Sequence, residues 1–348
     1  MSSTFDRRRF LRASAGLVGA GGVALLAGCP GREPTQTGTA PGPTPKSAST
    51  AAAPPSGKGG ANRLVSQPAG PDVEAVIAKG KPRPELVTTA LAAYGGMSAF
   101  VRQGDRVVIK PNLGWAKGPA DGVDTHPEIL AAVVKACKEA GAKEVLVGEH
   151  SCDAWVAVRE TSGVVDAVEG AGGRVVGWED PRLYREVDFP AGKSTKADQV
   201  ALDVLECDVL INCPKFKHHS ATGICGAMKN QMGLILRPQN YHLNTDIFAK
   251  DPNLHVNIAD LASAVRPTLT IVDLTNCCLT EGPKGGPGSK VKDFSTVIVS
   301  TDIVACDSLG TQILGICKVE DVPHIRIAAD ERGLGRVMTQ DDPKLKTV

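Results

Sequence analysis

Residues 211–234 read INCPKFKHHSATGICGAMKNQMGL. The run Asp208 to Cys213 is short, apolar and closed by Pro214, the pattern of a strand buried on both faces. Lys215, Lys217, His218 and His219 follow it, then a Ser/Thr/Gly turn. The spacing predicts a helix over Ile224 to Leu234 that carries Lys229 and Asn230. Strand, loop and helix in this order form the building unit of an open α/β sheet. In such sheets ligands bind in the crevice beyond the carboxyl ends of the strands. Polar donors crowded onto this one loop therefore mark a candidate site.

The same alternation extends outward. Upstream, Pro71 to Ala78 and Pro84 to Val101 read as helices, and Asp105 to Lys110 as a buried strand closed by Pro111. A glycine-rich loop runs from Asn112 to Asp124, and a helix from Pro127 to Ala140 stops at Gly141. Lys143 to Gly148 is a strand, Trp155 to Glu169 a helix, Arg174 to Gly177 a strand, and Tyr184 to Pro190 an edge strand or hairpin arm. Downstream come a helix from Asn253 to Val265 and strands Thr268 to Asp273 and Phe294 to Ser300. Helices Ile303 to Leu314 and His324 to Glu331 close the chain. The expected fold class is α/β: a mostly parallel sheet with helices on both faces, as one domain or two lobes.

The amino-terminal region is not part of this fold. Asp6-Arg7-Arg8-Arg9-Phe10-Leu11-Arg12 resembles a twin-arginine export signal, and Ala13 to Ala27 is apolar but too short and glycine-rich for a bilayer span. Leu26-Ala27-Gly28-Cys29 resembles a bacterial lipobox. Cleavage before Cys29 and lipidation of its thiol would hold the protein at a membrane, facing the periplasm or cell exterior. The plainer alternative is a cleaved secretory signal with an incidental cysteine. Residues 30–62 are mostly Pro, Gly, Ser, Thr and Ala, the composition of a disordered tether. The α/β domain then spans 63–348.

Charge excludes some partners. With 39 Lys+Arg against 38 Asp+Glu, the chain of 348 residues carries a net charge of +1, which gives no global field for nucleic acid. No GxxxxGK[ST] loop is present and no GxGxxG follows a strand, so the usual nucleotide fingerprints are missing.

Three polar sets fall at strand ends. The first, Lys110, Asn112, Thr125 and His126, suits a carboxylate or phosphate; alternatively Asn112 makes turn bonds and Thr125 caps the next helix. In the second, Lys215, Lys217 and Asn230 are candidate anion ligands, while His218, His219 and Lys229 are candidates for proton transfer. The adjacent histidines face opposite ways on an extended segment and lack one-face metal spacing. A metal would need distant partners such as His126, His150, His242 or His255. The third set supplies carboxylates: Asp273 and Glu281 as acid–base partners, and Asp302, which reads better as a helix cap. These three segments are expected to form the walls of one cleft.

Ten cysteines, Cys29 included, leave nine in the domain, and Cys137, Cys213 and Cys306 sit in apolar positions. No CxxCxxCxxxC run encodes a ferredoxin-type cluster. A cluster from scattered Cys207, Cys213, Cys225, Cys277 and Cys278 is the remaining alternative.

Taken together, Ile109-Lys110-Pro111-Asn112, Thr125-His126-Pro127, Asp208 to Lys215 with Lys217 and His218, Thr222-Gly223, Gly226 to Asn230 with Gly233, Asp273, Glu281-Gly282-Pro283 and Asp302 resemble the bacterial and archaeal family called domain of unknown function 362. The likeness spans roughly Val107 to Leu314. Some members carry ferredoxin-like iron–sulfur segments, which this chain lacks. A looser likeness joins HHSATGICGAMKNQMGL and Leu254-His255 to nickel-pincer lactate racemases, in which lysine and histidines hold an organometallic cofactor. It would give Lys229 and His219 that role.

The expected function is thus that of an exported lipoprotein with an anion-binding cleft. It would be an enzyme on a small carboxylate or phosphorylated substrate with a metal or organic cofactor. The rivals are a non-catalytic ligand-binding lipoprotein and an accessory whose lysines dock a redox partner.

Overall fold

The computed structural model describes residues 72–243 and 252–348, which belong to one compact unit. The export signal, Cys29 and the tether lie outside the described residues. Fourteen strands are present: β1 (Ala75–Lys79), β2 (Arg106–Pro111), β3 (Glu144–Glu149), β4 (Arg174–Gly177), β5 (Tyr184–Asp188), β6 (Ala197–Ala201), β7 (Val209–Cys213), β8 (Lys217–His219), β9 (Gly223–Cys225), β10 (Leu269–Leu274), β11 (Cys277–Cys278), β12 (Val291–Lys292), β13 (Thr296–Ser300) and β14 (Leu345–Thr347). The helices are α1 (Arg83–Ala93), α2 (Pro127–Glu139), α3 (Trp155–Thr161), α4 (Val164–Gly170), α5 (Leu202–Glu206), α6 (Ala227–Asn230), α7 (Asn240–Leu243), α8 (Pro252–Ala264), α9 (Ile303–Leu314) and α10 (Pro323–Arg326). Among the described residues no helix is long and apolar enough to cross a membrane.

Eight strands form one sheet in the order β14-β1-β13-β10-β7-β2-β3-β4. Every neighbouring pair is parallel except those made by β13, which runs against both β1 and β10. No helix of the α series separates β10 from β13, only the loop carrying β11 and β12. A strand reached without a crossover re-enters the sheet in the opposite direction.

Alternation along the strands distributes side chains to two cores. Val107, Ile109, Val145, Val147, Val209 and Ile211 face one core with Leu86 of α1 and Ile129, Leu130 and Val133 of α2. Val108, Leu146, Leu210, Val272 and Ile298 face the other, with Ile258 and Leu261 of α8 and Leu309 of α9. The result is the three-layer α/β fold read from the sequence.

Three local expectations are corrected. Pro71 to Ala78 is not a helix: AVIAK of β1 pairs with β13 and β14 and is buried along four of its five residues. A short apolar run suits either conformation, and the two open sheet edges decide it. Trp155 to Glu169 is two helices, broken at Gly163, whose φ of 69° is left-handed. Ile224 to Leu234 is not one helix. Its start pairs in the β8–β9 hairpin, with Lys217 opposite Cys225 and His219 opposite Gly223; α6 and a 3-10 turn from Gln231 to Leu234 follow.

Candidate functional site

Strand order reverses between β2 and β7: the chain proceeds from β2 outward to β3 and β4 on one side, while β7 and β10 lie on the other. Such a switch point leaves a crevice beyond the carboxyl ends of the two strands. A cavity of about 670 Å³ opens there. Lys110 and Asn112 reach it from the end of β2, Glu149, His150 and Cys152 from the end of β3, Lys217 and His219 from the β8–β9 hairpin, and Lys229 and Asn230 from α6.

The short α6 is fixed by a buried carboxylate from α9. Asp307 accepts the backbone N–H of Ala227 and, at 3.0 Å, that of Met228. A Cβ at Gly226 would stand 2.2 Å from the Asp307 oxygen, so only glycine lets the carboxylate approach. Gly233 plays the same part against the cavity wall, where a Cβ would meet Glu149 Oε1 at 2.0 Å and Lys110 Nζ at 2.9 Å.

Polar side chains along the floor are tied together. Lys110 Nζ donates to Glu149 Oε2 at 2.7 Å and to the Pro111 carbonyl at 2.5 Å. Glu149 also accepts the N–H groups of Leu113 (2.9 Å) and His150 (3.0 Å). Burial lifts the Glu149 carboxyl, opposed by the Lys110 ammonium and those N–H groups. Lys217 Nζ donates to Asn112 Oδ1 at 3.0 Å and to the Val123 carbonyl. Asn112 Nδ2 in turn donates to Asn230 Oδ1 (3.2 Å), and Asn230 Nδ2 donates to Asn212 Oδ1 (2.8 Å). An ammonium has three hydrogens. Lys110 and Lys217 each commit two to protein, leaving one apiece for a ligand.

Lys229 is held differently. Its Nζ contacts Met232 Sδ at 3.6 Å, and among the described residues no carboxylate pairs with it. Burial pushes its pKa down, opposed weakly by the thiols of Cys225 and Cys152 and reinforced by Lys217.

Two histidines present opposite faces chemically. His219 Nδ1 accepts the N–H groups of Ala221 (3.1 Å) and Thr222 (3.3 Å), so the neutral ring carries its hydrogen on Nε2. Burial, with Lys229 next, drives its pKa well down and keeps the ring neutral. His150 Nδ1 lies 2.8 Å from Tyr184 Oη, whose own hydrogen goes to the Trp178 carbonyl at 2.6 Å. His150 Nδ1 must therefore donate, and its Nε2 holds the lone pair. Burial lowers this ring's pKa too. Burial and then Lys229 bring His242 down to about 4.

Of the residues singled out from the sequence, Lys110, Asn112, Lys217, His219, Lys229 and Asn230 line the cavity; Lys215, Thr125, His126, His218, Asp273 and Glu281 do not. Lys215 and Asp273 form a closed pair at 2.9 Å with both side chains fully buried. Thr125 Oγ1 accepts from Asn112 N–H and donates to the Cys213 carbonyl, and the cap of α2 is His126, not Thr125. His218 Nδ1 accepts the N–H of Gly282. Glu281 bonds Ser289 on the surface. Asp302 caps α9 through Val304 and Ala305 at 2.8 Å. The third segment reaches the cavity only with Pro283.

Glu149 was missed as a site residue and His150 was considered only as a metal ligand, although both stand at the end of KEVLVGE, where a strand end carries the signal used for Lys110. Among the described residues no group of three or more His, Cys, Asp and Glu side chains could hold a metal ion. His219 and Lys229 share the cavity, but His219 Nδ1 is already occupied by backbone N–H groups. The described residues do not by themselves fit a metal cage.

The fold and the site define an α/β protein with a lysine- and histidine-lined cavity at a sheet switch point. Residues 107–312 match the family described as domain of unknown function (DUF362), and the chain belongs to that family. It is 28% identical over 247 residues to the thylakoid-associated protein sll1697 of Synechocystis sp. (strain ATCC 27184 / PCC 6803 / Kazusa), covering 70% of this chain and 73% of that one. Among solved structures it is similar to the lactate racemase apoprotein of Thermoanaerobacterium thermosaccharolyticum, at 15% identity and a TM-score of 0.42, over 67% of this chain and 55% of that one. A protein from Thermotoga maritima matches at 10% identity and a TM-score of 0.38, over 72% and 60%. The chain thus spans little more than half of the lactate racemase structure it matches.

Proposed function

We propose that this DUF362 protein is an exported, membrane-tethered lipoprotein whose cavity binds a small carboxylate or phosphorylated compound and acts on it by proton transfer. The observation that carries the reading is the charge balance of the lining: the ammonium groups of Lys110 and Lys217, each with a hydrogen left uncommitted, against the single carboxylate of Glu149. An excess of desolvated cations with unspent donors is stable only with an anion among them. His219 as hydrogen-bond donor and His150 as acceptor supply the acid and base sides. Tethering rests on Arg7-Arg8, Leu26-Ala27-Gly28-Cys29 and the tether at 30–62, and the thylakoid-associated relative supports a membrane setting.

Calorimetry with lactate, acetate and inorganic phosphate tests the site. Binding of at least one is expected in the wild type, with its loss in Lys217→Met; retention in that variant would refute the anion reading. Fractionation of cells carrying Cys29→Ser tests the anchor, with release from the membrane as the expected outcome.

A further inference from the structure

Lys229 does not look like an anion clamp. Lys110 and Lys217 are oriented by oxygen acceptors, whereas among the described residues the Lys229 amine meets a thioether at 3.6 Å. Its neighbours of opposite tendency are the Cys225 and Cys152 thiols, and no carboxylate balances it among the described residues. A half-buried lysine at a cavity wall, without a counter-ion, is more easily held as the neutral amine, the nucleophilic form. The cavity also supplies the other requirements for amine–carbonyl condensation. It has donors for a carboxylate on Lys110 and Lys217, an N–H donor on His219 and a basic nitrogen on His150.

We infer that Lys229 is a covalent catalytic residue that forms a Schiff base with the carbonyl carbon of a small oxo acid. This rests on the anion-binding reading and narrows its substrate class. The Lys229 Nζ lone pair attacks the carbonyl carbon, forming a C–N bond while the C=O π pair moves to oxygen, held by the His219 Nε2–H. His150 takes a proton from nitrogen and passes it to that oxygen, giving the neutral carbinolamine. One further proton from solution, carried by His150, goes to the hydroxyl, which leaves as water as the nitrogen lone pair forms the cationic C=N. Amine, carbonyl and one proton give iminium and water, and no oxidant or reductant is consumed.

Reductive trapping tests this on the full chain. Glyoxylate, the smallest oxo acid, is added with cyanoborohydride at neutral pH, and the digested protein is read by mass spectrometry for carboxymethyl-lysine. Lys229 is expected to be labelled at least about tenfold faster than the exposed Lys135, a difference of about 1.4 kcal/mol in barrier. Formaldehyde, a carbonyl without a carboxylate, is the second probe. Lys217→Met should slow glyoxylate labelling of Lys229 several-fold more than formaldehyde labelling, which loses only the help of the Lys217 charge in lowering the Lys229 pKa. If Lys229 is labelled no faster than Lys135, the Schiff-base inference falls, and lactate or phosphate binding by calorimetry shows separately whether the anion site survives. If Lys217→Met leaves the ratio of the two rates unchanged, the oxo-acid assignment falls while the nucleophile remains.

Discussion

Lys215 and Lys229 come from one stretch of sequence, are withdrawn from water fully and in part, and end in opposite situations. Lys215 Nζ meets Asp273 Oδ2 at 2.9 Å and the Thr275 carbonyl, and Asp273 is further bonded by the N–H of His126 (2.8 Å) and by Thr275 N–H and Oγ1 (2.8 and 2.7 Å). That network is closed, does not line the cavity and joins β10 to the loop after β7. Lys229 lies against a thioether at the wall of a 670 Å³ cavity. A satisfied buried cation is architecture; an amine drawn partly out of water and left without a counter-ion is a cost that stability alone does not explain. Desolvation thus marks both lysines, and only the presence or absence of partners separates structure from chemistry.

The comparison can be broken by mutation. Lys215→Ala leaves Asp273 as an unpaired buried charge, and a loss of about 3–5 kcal/mol is expected in urea unfolding. A loss below about 1 kcal/mol would remove the architectural half of the argument.

The next largest effect is one of pH. Burial raises Asp124 from 3.8 to about 7, with Lys217 opposing. Its folded pKa lies above the unfolded one, so the native state holds the proton more tightly. The contribution is fully favourable below 3.8 and is lost as pH rises towards about 7. Above about 7 a carboxylate also stands near Lys217 and should weaken anion binding. Asp124→Asn should flatten both dependences in calorimetry and unfolding across that window; unchanged slopes would place their origin elsewhere.

Lys229→Met conserves volume and removes a desolvated amine. It should cost less than about 1.5 kcal/mol while abolishing carbonyl trapping. A cost resembling that of Lys215→Ala would mean that Lys229 is architecture too. The smallest effect is expected for Glu281→Ala, since among the described side chains Glu281 bonds Ser289 and it stands off the cavity. Stability should stay within about 0.5 kcal/mol and anion affinity should not change. A lost activity there would restore Glu281 as an acid–base partner.

The sequence by itself determined the sheet class, because VVI, VLIN, LTIV and TVIV are apolar on both faces and alternate with amphipathic segments such as α2. It also determined half of the site, since Lys110, Asn112, Lys217, His219, Lys229 and Asn230 follow buried strands closely enough for the crevice rule to find them. Tertiary structure decided the rest. Whether AVIAK became a strand depended on open edges at β13 and β14 from the far end of the chain. Which lysines faced the cavity and which faced Asp273 depended on partners 58 residues away for Lys215 and 39 away for Lys110. Local periodicity specifies which face of an element is apolar. It carries no information on which distant carboxylate, thioether or carbonyl will stand opposite a buried amine, and that pairing decides whether the amine is held as a fixed charge or left to react.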